Sequence, residues 1–162
     1  DFIFSLSVFN VCLILYFICK FNILKKTSLN IILGGGGPED KKRSLTILNQ
    51  LNSSRVVGVC SQPLIVNTSI ISKAGLMVTS DTGPMHIGFA MKTPTVALFG
   101  TYCPISSGPF EIPDPLFRII KTDLEGKDHV GHSDPGEFHV RSITVDQVWK
   151  QVKEMLAEKS SP

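Results

Sequence analysis

The chain has 162 residues, 43% hydrophobic and 19% charged, with a formal net charge of +2. That length allows one domain of ordinary size, and the apolar content is ample for a core. The net charge argues neither for nor against nucleic acid, but with no arginine-rich run and no aromatic ladder on a basic face nucleic acid is not an expected partner.

Residues Phe2 to Cys19 carry no charge, and Lys20, Lys25 and Lys26 follow them. A bilayer span needs about 20 mostly apolar residues, so a membrane helix fits by length, with the lysines on the cytoplasmic side. Ser5, Ser7 and Asn10 weigh against it. The competing reading is a core helix of the same α/β domain or of a partner domain. The expected division is therefore 1–28, an apolar N-terminal helix (core helix or membrane span), and 29–162, a folded domain. The chain opens on Asp1 rather than Met, which suggests a fragment, a processed form or a partial gene product.

From Leu29 onward, short apolar runs alternate with helical patterns. Asn30–Leu33 reads as a strand ending in Gly34-Gly35-Gly36-Gly37-Pro38. Glu39 to Leu51 follows, with Leu45, Leu48 and Leu51 at helical spacing. Arg55–Cys60 is the next strand, and Pro63 to Ala74 the next helix. Leu76–Thr79, Thr95–Phe99 and Leu116–Ile120 complete the strands. Alternation of this kind predicts a Rossmann-like parallel sheet of five or six strands, covered by helices on both faces. Residues 100–115 and 122–141 read as long irregular loops. The last helix is capped by Thr144 with Gln147 three residues on, and carries an apolar stripe through Val145, Val148, Trp149, Val152, Met155 and Leu156.

The segment richest in chemistry is Ser80-Asp81-Thr82-Gly83-Pro84-Met85-His86. A buried strand precedes it and a short helix, Met85 to Met91, follows. Proline is tolerated in a first helical turn, where its missing N–H would have had no intrahelical partner. Thr82 or Gly83 then caps the helix, and the free N–H groups of that first turn favour an anion, phosphate above all. In an α/β sheet ligands sit at the carboxyl ends of the strands, so this turn reads as a site for a phosphorylated ligand, with one acid and one histidine beside it.

The glycine turn Gly34–Gly37 also joins a strand to a helix, but it lacks the helix-packing glycine of a dinucleotide fingerprint. Glu39 and Asp40 occupy the helix start, where they repel an anion yet can accept hydrogen bonds from ribose hydroxyls. This turn is assigned to the sugar of a nucleotide, with helix capping as the competing reading. The cysteines Cys12, Cys19, Cys60 and Cys103 have no CxxC spacing, which points to neutral thiols in a reducing compartment. In the run His129 to Pro135 two histidines lie close to acids, but a loop gives them no fixed geometry, so no metal is expected.

Leu76 to Gly100, LMVTSDTGPMHIGFAMKTPTVALFG, closely resembles the donor-site signature of the lipopolysaccharide heptosyltransferases, glycosyltransferase family 9. The matching positions are Asp81, Thr82, Gly83, His86, Pro94, Phe99 and Gly100. A weaker likeness covers residues 29–156. The resemblance implies the C-terminal, donor-binding half of a GT-B enzyme, with an ADP-heptose donor, a lipopolysaccharide core acceptor and inversion at the anomeric carbon. It implies that a missing N-terminal acceptor domain carries the catalytic base, so that this fragment alone transfers nothing. His86 and Asp81 take the catalytic positions, and Thr82 and Gly83 bind the donor without a metal or other cofactor. An acid of the glycine turn contacts the ribose, with Glu39 the closer match and Asp40 the fallback. Gln62 lies where the family contacts the adenine, and Gly100 and Thr101 border the donor. Tyr102-Cys103 replaces the family's small and acidic pair in that loop. The implied location is cytoplasmic, peripheral to the inner membrane if residues 2–24 contact it. Rival readings are another GT-B nucleotide-sugar enzyme, an epimerase or a transferase, or an inactive nucleotide-sugar-binding fragment.

Overall fold

The apolar runs pair side by side. A computed structural model describes residues 3–7, 18–100, 108, 109, 115–122 and 142–160, the first of these by backbone alone. Its strands are β1 (Ile3–Ser7), β2 (Asn30–Gly34), β3 (Val56–Gly58), β4 (Leu76–Ser80), β5 (Thr95–Phe99) and β6 (Phe117–Lys121). They form one sheet in the order β3-β2-β1-β4-β5-β6, with every pair parallel. Every residue of β4 and of β5 is buried, as a parallel sheet covered on both faces requires. The fold is thus the expected Rossmann-like α/β arrangement.

The N-terminal expectation needs correction. Residues 3–7 form a strand, not part of a long apolar helix. β1 pairs with β2 on one side and β4 on the other, from Ile3 against Asn30 to Ser7 against Gly34, so the sheet crosses the division expected at residue 28. A strand buried in a parallel sheet and a buried helix both read as uncharged apolar runs, and periodicity does not separate them. Residues 18–26 are helical, as the core-helix reading held. They form α1, wound as a π-helix over Ile18–Ile23 and continuing over Leu24–Lys26. Ile18, Cys19 and Ile23 are fully buried. Among the described residues no helix is long and apolar enough to cross a membrane.

Helices α2 (Pro38–Leu51), α3 (Leu64–Lys73), α4 (Gly83–Ala90) and α5 (Val145–Ser160) complete the order. Two glycines let helices approach the sheet closely. A Cβ on Gly88 would lie 3.1 Å from both Met77 Sδ and Thr95 Oγ1, so α4 rests directly on β4 and β5. A Cβ on Gly58 would lie 2.9 Å from Ser44 Oγ, which brings α2 against β3. The third strand is shorter than expected because the chain turns at Cys60-Ser61. Ser61 takes a left-handed φ of 61°, and its N–H donates to Gly35 O at 2.8 Å.

Arg55 fastens the end of α1. Its guanidinium donates to the carbonyls of Leu24, Thr27 and Leu29, the latter two at 2.8 and 3.2 Å. At the other end of the chain the Thr144–Gln147 cap forms as expected. Gln147 N–H donates to Thr144 Oγ1 at 3.2 Å and Thr144 N–H to Gln147 Oε1 at 2.7 Å. Val148, Trp149, Val152 and Met155 join α1, β2 and β4 in one core cluster. Lys26 Nζ stands 5.5 Å from the centre of the Trp149 ring, a cation–π contact between α1 and α5.

Candidate functional site

The order of the strands reverses between β1 and β4, and in open α/β sheets that switch point is where ligands bind, beyond the carboxyl ends. A cavity of about 580 Å³ lies there, within the range of small-molecule sites. One wall is the glycine turn Gly34–Gly37 with Asp40. The facing wall is Asp81, Thr82, Gly83 and Pro84 with Ile87 of α4. Leu64, Asn67, Ile70 and Ile71 of α3 close a third side.

The turn after β4 is set by hydroxyl groups. Thr79 Oγ1 donates to Ser80 O at 3.0 Å and lies 3.5 Å from Thr82 Oγ1, while Thr82 Oγ1 donates to Ser80 O at 3.2 Å. Thr82 is the N-cap of α4, extended at φ −151° and ψ 170°, and its side chain makes no capping bond. Met85 N–H donates to Thr82 O at 2.9 Å. Pro84 has no N–H to offer. Gly83, the first helical residue, has an N–H without an intrahelical acceptor. A Cβ there would meet nothing within 4 Å, so the helix start is open. An anion placed there meets the positive end of the α4 dipole and an uncapped N–H.

His86 Nε2 stands 3.8 Å from Asp81 Oδ1, an ion-pair distance but too long for a hydrogen bond. The Asp81 side chain is 16% exposed and that of His86 56%. Burial raises the Asp81 carboxyl above its ordinary pKa, and the neighbouring His86 partly opposes the rise. The imidazole meets the edge of Phe89, with ring centres 6.5 Å apart, and Phe89 packs on Phe117 at 4.8 Å. His86 therefore sits at the rim rather than in the wall of the cavity.

The sequence-predicted residues divide clearly. Asp81, Thr82, Gly83 and His86 come together in one turn. Asp40 lines the opposite wall, while Glu39 beside it is exposed and outside that wall. Gln62 is exposed at the turn before α3, where its backbone carbonyl accepts from Asn67 Nδ2 at 3.1 Å. Gly100 is buried at the end of β5, and its carbonyl accepts from Thr122 Oγ1 at 3.2 Å. Thr101, Tyr102, Cys103, Pro104 and the His129–Pro135 run lie outside the described residues. Sequence reasoning passed over the α3 wall. Leu64, Asn67 and Ile71 are spaced i, i+3, i+7 and so share one helical face, and a polar residue amid apolar neighbours was the available signal.

Comparison with known proteins gives concordant matches. Residues 17–121 match the model of glycosyltransferase family 9 (heptosyltransferase). The chain is 26% identical over 146 residues to lipopolysaccharide heptosyltransferase 1 of Campylobacter coli, covering 87% of this chain and 41% of that protein. Among solved structures it resembles the ADP-heptose lipopolysaccharide heptosyltransferase II of E. coli, with a TM-score of 0.75 at 17% identity over 99% of this chain and 48% of the other. It also resembles E. coli heptosyltransferase WaaC solved with ADP, with a TM-score of 0.72 at 16% identity over 96% of this chain and 44% of the other. The chain thus spans less than half the length of each of these relatives, and at such identities the structural likeness speaks for the GT-B fold alone.

Proposed function

This chain belongs to glycosyltransferase family 9, the heptosyltransferases, and from that premise we propose that it is the donor-binding half of an enzyme that transfers heptose from ADP-heptose to a lipopolysaccharide core acceptor. One observation carries the reading. The uncapped start of α4, with the Asp81–Gly83 turn, opens into a cavity at the switch point of the sheet. The diphosphate of the donor rests on that helix start. Glycosyl transfer releases the diphosphate with increased negative charge, and donors already aimed at it lower the barrier. The Gly83 N–H and the His86 imidazole are those donors, and the Thr82 hydroxyl joins them by turning its hydrogen away from the Ser80 carbonyl. Asp81, an acid beside an anion site, does not attract the diphosphate by its own charge. It orients the turn or a sugar hydroxyl of the donor.

The acceptor and the base that activates it belong to a second half, which the chain does not contain in this reading. Leu64, which lines the cavity, and Ile65 next to it in the chain are 71% and 75% exposed and suit a face that such a half covers. Alone, this half binds the donor weakly and transfers nothing. The test joins it to an acceptor half and supplies ADP-heptose with a lipopolysaccharide core acceptor. ADP release that depends on the acceptor supports the reading. Hydrolysis or epimerisation of the sugar nucleotide without transfer contradicts it.

A further inference from the structure

The glycine wall of the cavity has an internal support. Asp40 is 3% exposed, and its Oδ2 accepts from the N–H groups of Gly36 at 2.9 Å and Gly37 at 3.3 Å. Its other oxygen, Oδ1, is buried without a hydrogen-bond partner and lies 3.9 Å from Arg43 Nη1. The turn wraps the Asp40 side chain so closely that a Cβ on Gly35 would come within 2.4 Å of Asp40 Cβ. Gly35 is therefore a packing requirement of the fold.

Gly36 and Gly37 are different. A Cβ on either would meet nothing within 4 Å, and Gly37 has an extended φ of −111° that any residue adopts. Neither internal packing nor a left-handed backbone asks for glycine there. Both residues line the cavity. What their missing side chains leave is a bare strip of backbone facing the space a ligand would fill.

We infer that Asp40 is a positioning residue that fixes the Gly36–Gly37 strip as a surface against which the bound nucleotide packs. The inference rests on the proposed nucleotide site and refines it. Asp40 orients the wall through two amide hydrogen bonds, and the absence of side chains at residues 36 and 37 lets the ligand approach the backbone. A methyl group at position 36 would occupy ligand space at no cost to the empty protein. An amide at position 40 keeps an acceptor oxygen for the two N–H groups, and a methyl removes it.

The experiment titrates the full chain with ADP, following binding by amide chemical shifts and stability by thermal melting. Gly36→Ala should leave the melting temperature unchanged and weaken ADP binding about tenfold. Asp40→Asn should bind within about threefold of the wild type, and Asp40→Ala should lose at least tenfold. If Gly36→Ala binds ADP as tightly as the wild type, the packing surface is overturned. If Asp40→Ala does so, the positioning role is overturned. Should Asp40→Ala fail to fold, the Asp40→Asn variant decides that role: binding near the wild-type value upholds it, and a tenfold loss despite wild-type melting overturns it. Absence of ADP binding by the wild type would overturn the nucleotide site itself and this inference with it, an outcome distinct from a silent Gly36→Ala.

Discussion

His86 and Asp81 are one pair with two separate tests. In the joined enzyme His86→Ala should lower turnover by about 10²–10³, the usual cost of one donor in an oxyanion-type site. ADP affinity should fall much less, because the leaving diphosphate carries more charge in the transition state than in the bound donor. Steady-state kinetics with ADP inhibition separates the two, and equal losses would make His86 a ground-state contact. Asp81 adds a pH signature. Burial raises its folded pKa above the ordinary 3.8. An acid that holds its proton more tightly when folded makes stability fall as pH rises from that value through the raised one, so the cost is complete at neutral pH and absent in strong acid. Asp81→Asn should therefore melt higher than the wild type at neutral pH, with the advantage gone by about pH 3. A constant advantage across a paired melting series would assign it to packing. At this scale the sequence made the Asp81–His86 turn legible, because a strand, a glycine-proline turn and a short helix leave little freedom. It did not reveal that Asp40 lines the cavity while Glu39 is exposed. Adjacent helical residues point about 100° apart, and the phase is set by how α2 lies on the sheet.

The same ambiguity appears for whole elements. Strands β4 and β5 were legible because each is short and bounded by turn residues. β1 was not, because its apolar run continues without a charge into residues that have no turn signal before Asn10. Only its place between β2 and β4 resolves it. α1 shows a second feature beyond sequence patterning, since its carboxyl end is held by an arginine 29 residues after Lys26 in the chain. Arg55 engages three carbonyls, and hydrogen bonds to a charged donor contribute about 1.5–3 kcal/mol. Arg55→Ala should lower the unfolding free energy in urea by about 2–3 kcal/mol, leaving three carbonyls without this donor. Arg55→Lys should recover little, because an ammonium lacks the planar fork that reaches separate acceptors. Full recovery by lysine would reduce the role of Arg55 to charge alone.

At the scale of the molecule, the strand order converts separate motifs into one cavity. The glycine turn follows β2 and the Asp81 turn follows β4, and these strands flank β1 on either side. Residues more than 40 positions apart in the chain thereby face a common space. The alternation of strands and helices announced a parallel sheet, but not its order. That order depends on β1, the strand the sequence concealed. In the proposed function the diphosphate of a nucleotide occupies the start of α4. ADP titrated into the isotope-labelled chain tests this through the amide signals of Thr82, Gly83, Met85 and His86. These signals should shift together and saturate, with Gly36 and Gly37 moving alongside. Saturating shifts confined to other parts of the chain, with the α4 turn silent, would contradict it.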